Sequence, residues 1–250
     1  MTSIQGKTAL VIGGSSGVGR ATVQSLISAG ARVTAVARGA EALESLRAET
    51  AGAVQTFRAD AAAPETAPRL LRELRPELVV LAAGVRPRMA ALDEQTWETF
   101  SATWNSDVQA SFHLIQAALS SPLAPGSTVV LVSSGAAING SSLSGGYAGA
   151  KRAQWLLAGY AQQLSEKRKL GIRFLAVLPR QLIADTEIAR AAASAYGAAL
   201  GISSEEHMKR FGKPLTVEGV AAAIVGGLQG EVAPGVNAIG VSGESVEPLA

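Results

Sequence analysis

Seven short apolar runs alternate with amphipathic helical stretches along this chain, and that alternation is the strongest constraint on its fold. The runs cover residues 8–12, 32–37, 54–58, 78–82, 127–132, 172–178 and 238–241; the helical patterns cover 18–29, 40–50, 67–74, 93–119, 147–169 and 217–229. Most of the runs are uniformly apolar, as in strands covered on both faces. Strands that alternate with helices in this way form right-handed crossovers and a parallel sheet. No repeat of fixed period and no Gly/Pro-rich linker divides the chain, so a single α/β domain spanning residues 1–250 is expected. The rhythm breaks between Pro179 and Pro214, where an excursion at about residues 180–213 carries a small-residue helix from Thr186 to Tyr196. Long excursions at a strand's carboxyl end are where substrate loops and lids sit.

Composition narrows the function. Apolar residues make up 48% of the chain and aromatics only 4%, so the core must be built from Ala, Val, Leu and Ile. A net charge of +2 with both signs dispersed leaves no electrostatic footprint for nucleic acid. The absence of cysteine excludes disulfides, thiolate metal sites and cysteine nucleophiles. No apolar run approaches the roughly 20 residues needed to span a bilayer. Residues 1–7 lead into the first strand without a secretion pattern, so the expected compartment is the cytoplasm.

Chemistry enters through two motifs. The first runs Leu10-Val-Ile-Gly13-Gly-Ser15-Ser16-Gly17-Val18-Gly19 and joins a strand to a helix. Glycines there permit a tight turn and bring backbone N–H groups close to a pyrophosphate, which the helix N-terminus also attracts. The second is Tyr147-Ala-Gly-Ala-Lys151, preceded by Ser134. Tyrosine and lysine at i and i+4 share one helix face, so the ammonium can stabilise a phenolate and bring a phenol of pKa about 10 nearer neutrality. A serine at a neighbouring strand end can hold a carbonyl. Together the motifs point to carbonyl/alcohol redox chemistry on a nicotinamide nucleotide. Arg38 closes the second strand behind Ala37, where a carboxylate would grip an NAD ribose; a cation without that carboxylate favours the 2′-phosphate of NADP. Asp60, ending the third strand, is placed to accept from an adenine amino group.

In order and spacing these residues resemble the short-chain dehydrogenase/reductase family, over almost the whole chain. The resemblance implies a Rossmann-like, doubly wound sheet of seven parallel strands. It implies that Tyr147 is the general acid/base, that Lys151 lowers its pKa and binds the nicotinamide ribose, and that Ser134 orients the substrate. Cofactor contacts would come from Gly13, Ser15, Ser16, Gly17, Val18, Gly19, Arg38, Asp60, Ala83, Gly84, Tyr147, Lys151, Pro179 and Thr186. Family members are usually homotetramers or homodimers, and the helices at 93–119 and 147–169 carry enough small and apolar residues to pack against a twin.

Several positions depart from the family pattern. Ile12 replaces a threonine, Leu81 and Ala82 replace two asparagines before Ala83 and Gly84, and Arg180 follows Pro179 in place of glycine, which sets a bulky cation near the nicotinamide. Asp107 stands where the family has a fourth catalytic residue, an asparagine. A carboxylate there accepts from the proton-relay water and can pair with Lys151, partly cancelling its field on Tyr147. The family relay uses chiefly that residue's backbone carbonyl, so Asp107→Asn is expected to keep or raise turnover. The two histidines, His113 and His207, lie far apart without acidic company, and no metal site is expected. The substrate expected is a small, uncharged, apolar ketone, aldehyde, quinone or alcohol. Two alternatives stay open: an NADP-binding regulator or scaffold with little turnover, and an epimerase or dehydratase on the same fold.

Overall fold

A computed structural model describes residues 3–249 of the chain. Eight strands form one sheet in the order β3-β2-β1-β4-β5-β6-β7-β8: β1 (Thr8–Ile12), β2 (Arg32–Ala37), β3 (Val54–Arg58), β4 (Leu78–Leu81), β5 (Thr128–Val132), β6 (Arg173–Pro179), β7 (Ala238–Val241) and β8 (Val246–Pro248). The first seven are parallel, and their bounds lie within one residue of the apolar runs.

Helices cover both faces, as the uninterrupted burial of β1, β4 and β5 requires. Because side chains alternate across a strand, Leu10, Val79 and Val129 share one cluster with Leu70, Leu114 and Ala158, which belong to α3 (Thr66–Leu74), α5 (Gln109–Ser120) and α7 (Tyr147–Lys167). Val11, Val80 and Val130 face the other way, onto Val23, Leu43 and Ile224 of α1 (Gly17–Ser28), α2 (Ala40–Glu49) and α10 (Val217–Leu228). The strand order reverses between β1 and β4, and in open α/β sheets the crevice at such a switch point, beyond the strands' carboxyl ends, is the ligand site.

Two features differ from the sequence reading. The sheet has eight strands where seven were expected. The extra one, β8, runs antiparallel to β7 and is exposed throughout; with no buried face, Val-Glu-Pro shows no apolar pattern. It is fastened by Arg180 Nη1 to Glu247 Oε2 at 2.8 Å. Arg180 also lines the cavity at the strands' carboxyl ends, with its guanidinium tied to the sheet edge and its stem packed on Gly240.

The stretch at 93–119 is not one helix. A 3-10 turn at Leu92–Glu94 precedes α4 (Trp97–Thr103), a π-helical turn spans Trp104–Val108, and α5 follows. Thr96 starts α4 by accepting from the Thr99 N–H, and the π turn breaks the 3.6-residue ladder where Asp107 lies. The remaining helices among the described residues are α6 (Ala136–Asn139) and, within the 180–213 excursion, α8 (Glu187–Leu200) and α9 (Ser204–Lys209).

Candidate active site

One cavity of about 1050 Å³ opens at the carboxyl ends of the strands, and every residue singled out from the sequence as catalytic or cofactor-binding lines it. Its floor is the glycine turn. Gly13 has φ +87°, and a Cβ there would run into the backbone of Ala83; a Cβ on Gly19 would strike the Gly13 carbonyl. The turn is thus packed against the end of β4 and under the first turn of α1 at backbone distance, which only glycine allows. Ser16, the N-cap of α1, makes no side-chain cap bond, and the first turn holds no acidic residue. The N–H groups that a helix leaves unpaired at this end therefore meet no capping side chain and no carboxylate, in surroundings that fit a pyrophosphate.

The far wall carries positive charge. Arg38 is exposed at the end of β2, and the β2–β3 register sets Ala37 opposite Arg58. Arg58 Nε donates to the Arg38 carbonyl at 3.0 Å and so braces the backbone at Arg38, whose side chain lines the cavity. Asp60 is exposed, its Oδ1 accepting from the Ala62 N–H at 3.0 Å. Thr186 lines the cavity but is committed locally: it donates to the Ile183 carbonyl at 2.9 Å and caps α8 through the Ala189 N–H at 3.2 Å.

The chemical end is built from β5, α7 and the π turn. Ser134 follows β5, and its Oγ accepts from the Ala136 N–H at 3.3 Å. Its neighbour Ser133 donates to the Lys151 carbonyl at 2.7 Å, tying β5 to α7. Tyr147 is the first residue of α7 and half-buried. One turn on, Lys151 Nζ lies 5.5 Å from the Tyr147 ring centre. The ammonium faces Asp107 Oδ2 at 2.9 Å in an ion pair buried on both sides. Oδ2 has no other protein partner, so the ammonium alone balances it. Hydrogen bonds from Nζ go to Gln154 Oε1 at 2.9 Å and to the Val132 carbonyl at 3.5 Å.

Asp107 is wedged beneath β4. Its Oδ1 accepts from the Val85 N–H at 3.0 Å, and a Cβ on Gly84 would come within 2.7 Å of Oδ2, so Gly84 leaves the space the carboxylate fills. Its backbone carbonyl accepts from Ser111 Oγ at 2.7 Å and Gln154 Nε2 at 3.3 Å. Both bonds sit on the atom that the family relay was expected to use. Burial lowers the Lys151 pKa, but the charges of Asp107 and Tyr147 outweigh it, and the net shift is upward from 10.5. A raised folded-state value gives stability that is full below 10.5 and fades only as pH climbs through that higher value.

The excursion supplies an aromatic wall. Tyr196 Oη bonds Ser141 Oγ at 2.8 Å and accepts from the Leu143 N–H at 3.2 Å. His207 stacks on Tyr196 at 5.8 Å and meets the Phe211 edge at 5.5 Å. Burial and the Arg210 charge lower the His207 pKa from 6.5. A depressed histidine contributes stability above about 6.5 that is lost as pH falls through its folded value. Thermal melts should therefore lose less between neutral and mildly acid pH in His207→Phe than in the wild type; equal losses would show that the stack does not sense protonation.

The sequence reading did not single out Gln154, Ser111 or Arg58. Gln154 could have been found, since it lies three residues after Lys151 on the same helix face as Tyr147. Among the described residues, no helix is long and apolar enough to cross a membrane, and no group of three or more acidic or histidine side chains could hold a metal.

Comparison with known proteins agrees with this architecture. The family model described as short chain dehydrogenase matches residues 7–197. The short chain dehydrogenase/reductase AacuD of Aspergillus aculeatus is 38% identical over 155 residues, 59% of this chain and 55% of that relative. The chain thus spans little more than half of AacuD's length. A 2,5-dichloro-2,5-cyclohexadiene-1,4-diol dehydrogenase of Sphingobium indicum is 30% identical over 186 residues, 72% of this chain and 74% of the relative. L-xylulose reductase of Mesocricetus auratus is 35% identical over 130 residues, 52% of each. With most of its length matched in this way, the chain belongs to the short-chain dehydrogenase/reductase family of oxidoreductases.

Proposed function

We propose that the protein is an NADP(H)-dependent oxidoreductase that interconverts a ketone, aldehyde or quinone with its alcohol. The carrying observation is that Ser134, Tyr147 and Lys151 line the same cavity as the glycine turn. A bound reduced nicotinamide nucleotide supplies the hydride. The protein's part is to hold the substrate oxygen at Ser134 and Tyr147, to pass the Tyr147 proton to that oxygen as the carbonyl carbon is reduced, and to offset the charge left on the phenol with the Lys151 ammonium. In the reverse direction Tyr147 takes the alcohol proton. Relatives named a diol dehydrogenase and an L-xylulose reductase support this chemistry in both directions. The aromatic wall of Tyr196, His207 and Phe211 supports an apolar substrate. Purified protein should consume NADPH stoichiometrically over a panel of ketones, aldehydes and quinones. Tight NADPH binding with no consumption on any of them would favour the regulator or the epimerase and dehydratase alternatives.

NADP preference rests on the Arg38 guanidinium at the end of β2, which lines the cavity. Arg38→Glu should weaken NADPH binding about 10- to 100-fold, the worth of a charge-assisted hydrogen bond, and leave NADH nearly unchanged. Calorimetric titration of both nucleotides checks this, and equal affinity of the wild type for the two would sink the assignment. Assembly as a homotetramer or homodimer is supported by the exposed side chains of Trp104, Phe112, Leu156, Tyr160 and Leu164 on the π turn, α5 and α7.

A further inference from the structure

We propose that Gln154 is a positioning residue that aims the Lys151 ammonium, an inference that rests on reading Tyr147 and Lys151 as the proton-transfer pair. Gln154 has no exposed surface, and an amide buried without partners costs several kcal/mol. Leucine would fill a similar volume without that cost, so the amide calls for a polar reason. Its partners supply one. Oε1 accepts from Lys151 Nζ at 2.9 Å, while Nε2 donates to Ser111 Oγ at 2.8 Å and to the Asp107 carbonyl at 3.3 Å. Ser111 Oγ donates on to the same carbonyl at 2.7 Å. Turning the amide over would set its NH2 against the ammonium and its oxygen against a carbonyl, so the orientation is fixed.

The ammonium is correspondingly constrained. Asp107 Oδ2 approaches as closely as Gln154, at 2.9 Å, so the ammonium is shared between a carboxylate and a neutral amide. An ammonium held by the carboxylate alone would spend its field there; held by Gln154 as well, it stays 5.5 Å from the Tyr147 ring centre. Its other hydrogen bond, to the Val132 carbonyl at 3.5 Å, is at the limit of the interaction. That N–H is the one Lys151 can turn toward a ligand in the cleft without giving up its anchor.

The test follows Lys151 directly. Lysine labelled with ¹³C at Cε, one of only six in the chain, is titrated by NMR in wild type, Gln154→Met and Ser111→Ala, with Lys151→Met assigning the signal. NADPH affinity is measured alongside. Losing the Gln154 oxygen should let Lys151 release its proton at lower pH, by about half a unit or more, and weaken NADPH binding about threefold or more. Ser111→Ala, which loosens the amide from behind, should shift both in the same direction by less. A titration within about 0.2 unit of wild type and an unchanged NADPH affinity in folded Gln154→Met would overturn the proposal. If that variant does not fold, the same result in Ser111→Ala overturns it. Failure of the underlying reading looks different: Lys151→Met would then retain wild-type NADPH affinity and turnover, whatever the titrations show.

Discussion

Asp107→Ala should lower the unfolding free energy by about 3–5 kcal/mol, the usual cost of stranding one member of a buried ion pair. Lys151 would keep a charge inside the protein with only Gln154 and a distant carbonyl for company, and the Val85 N–H would lose its acceptor. Asp107→Asn should be milder but not neutral. Both carboxylate oxygens are used, one by Val85 and one by Lys151, whereas asparagine offers a single acceptor and must turn its NH2 toward a donor. A loss of about 1–3 kcal/mol follows. Turnover per folded molecule should stay within about tenfold or rise, because removing the carboxylate leaves the Lys151 field on Tyr147 uncancelled. The double variant Asp107→Leu/Lys151→Met should recover the part of the loss that comes from the stranded charge, since an apolar pair carries no desolvation penalty. It should leave the cost of the unpaired Val85 N–H and Gln154 Oε1. Denaturant unfolding of the three variants reads this out. An Asp107→Ala protein within about 1 kcal/mol of wild type would mean that water reaches the pair and screens it.

The architecture was legible because its signal is local. Each apolar run is a parallel strand, all but the edge strand β3 are largely buried by their neighbours, and such runs need no knowledge of the rest of the fold to be read. The break at Asp107 was not legible, because the apolar spacing of a helix continues through the π turn; only the hydrogen-bond ladder changes. Position 107 was identified by spacing, but its consequences were not, since Ser111, Gln154 and Val85 meet it from three different segments. Arg58 shows the same limit. Its place beside Arg38 follows from the β2–β3 register, which becomes known only once the strands are paired. The strand β8 lacks any buried face, so its sequence carries no pattern to find.

Tyr147→Phe should reduce NADPH-dependent turnover by about 10²- to 10⁴-fold, the range that a positioned proton donor contributes, with stability nearly unchanged. The second half of that expectation is structural: among the described residues, the Tyr147 hydroxyl makes no protein hydrogen bond, while the ring remains as phenylalanine beside Lys151. Removing the oxygen thus strands no buried partner, and NADPH affinity should also hold, because the glycine turn and the Arg38 wall are untouched. A charge 5.5 Å from the ring centre interacts by about 3 kcal/mol at an effective dielectric constant near 20, enough to matter for the proton but not for folding. The paired measurements are steady-state turnover and a thermal melt. Lost turnover with an unchanged melt assigns the proton to Tyr147. Turnover within about fivefold of wild type, against an expectation of at least a hundredfold, would place the donor elsewhere on the cavity wall, with the half-buried imidazole of His207 the next group to remove.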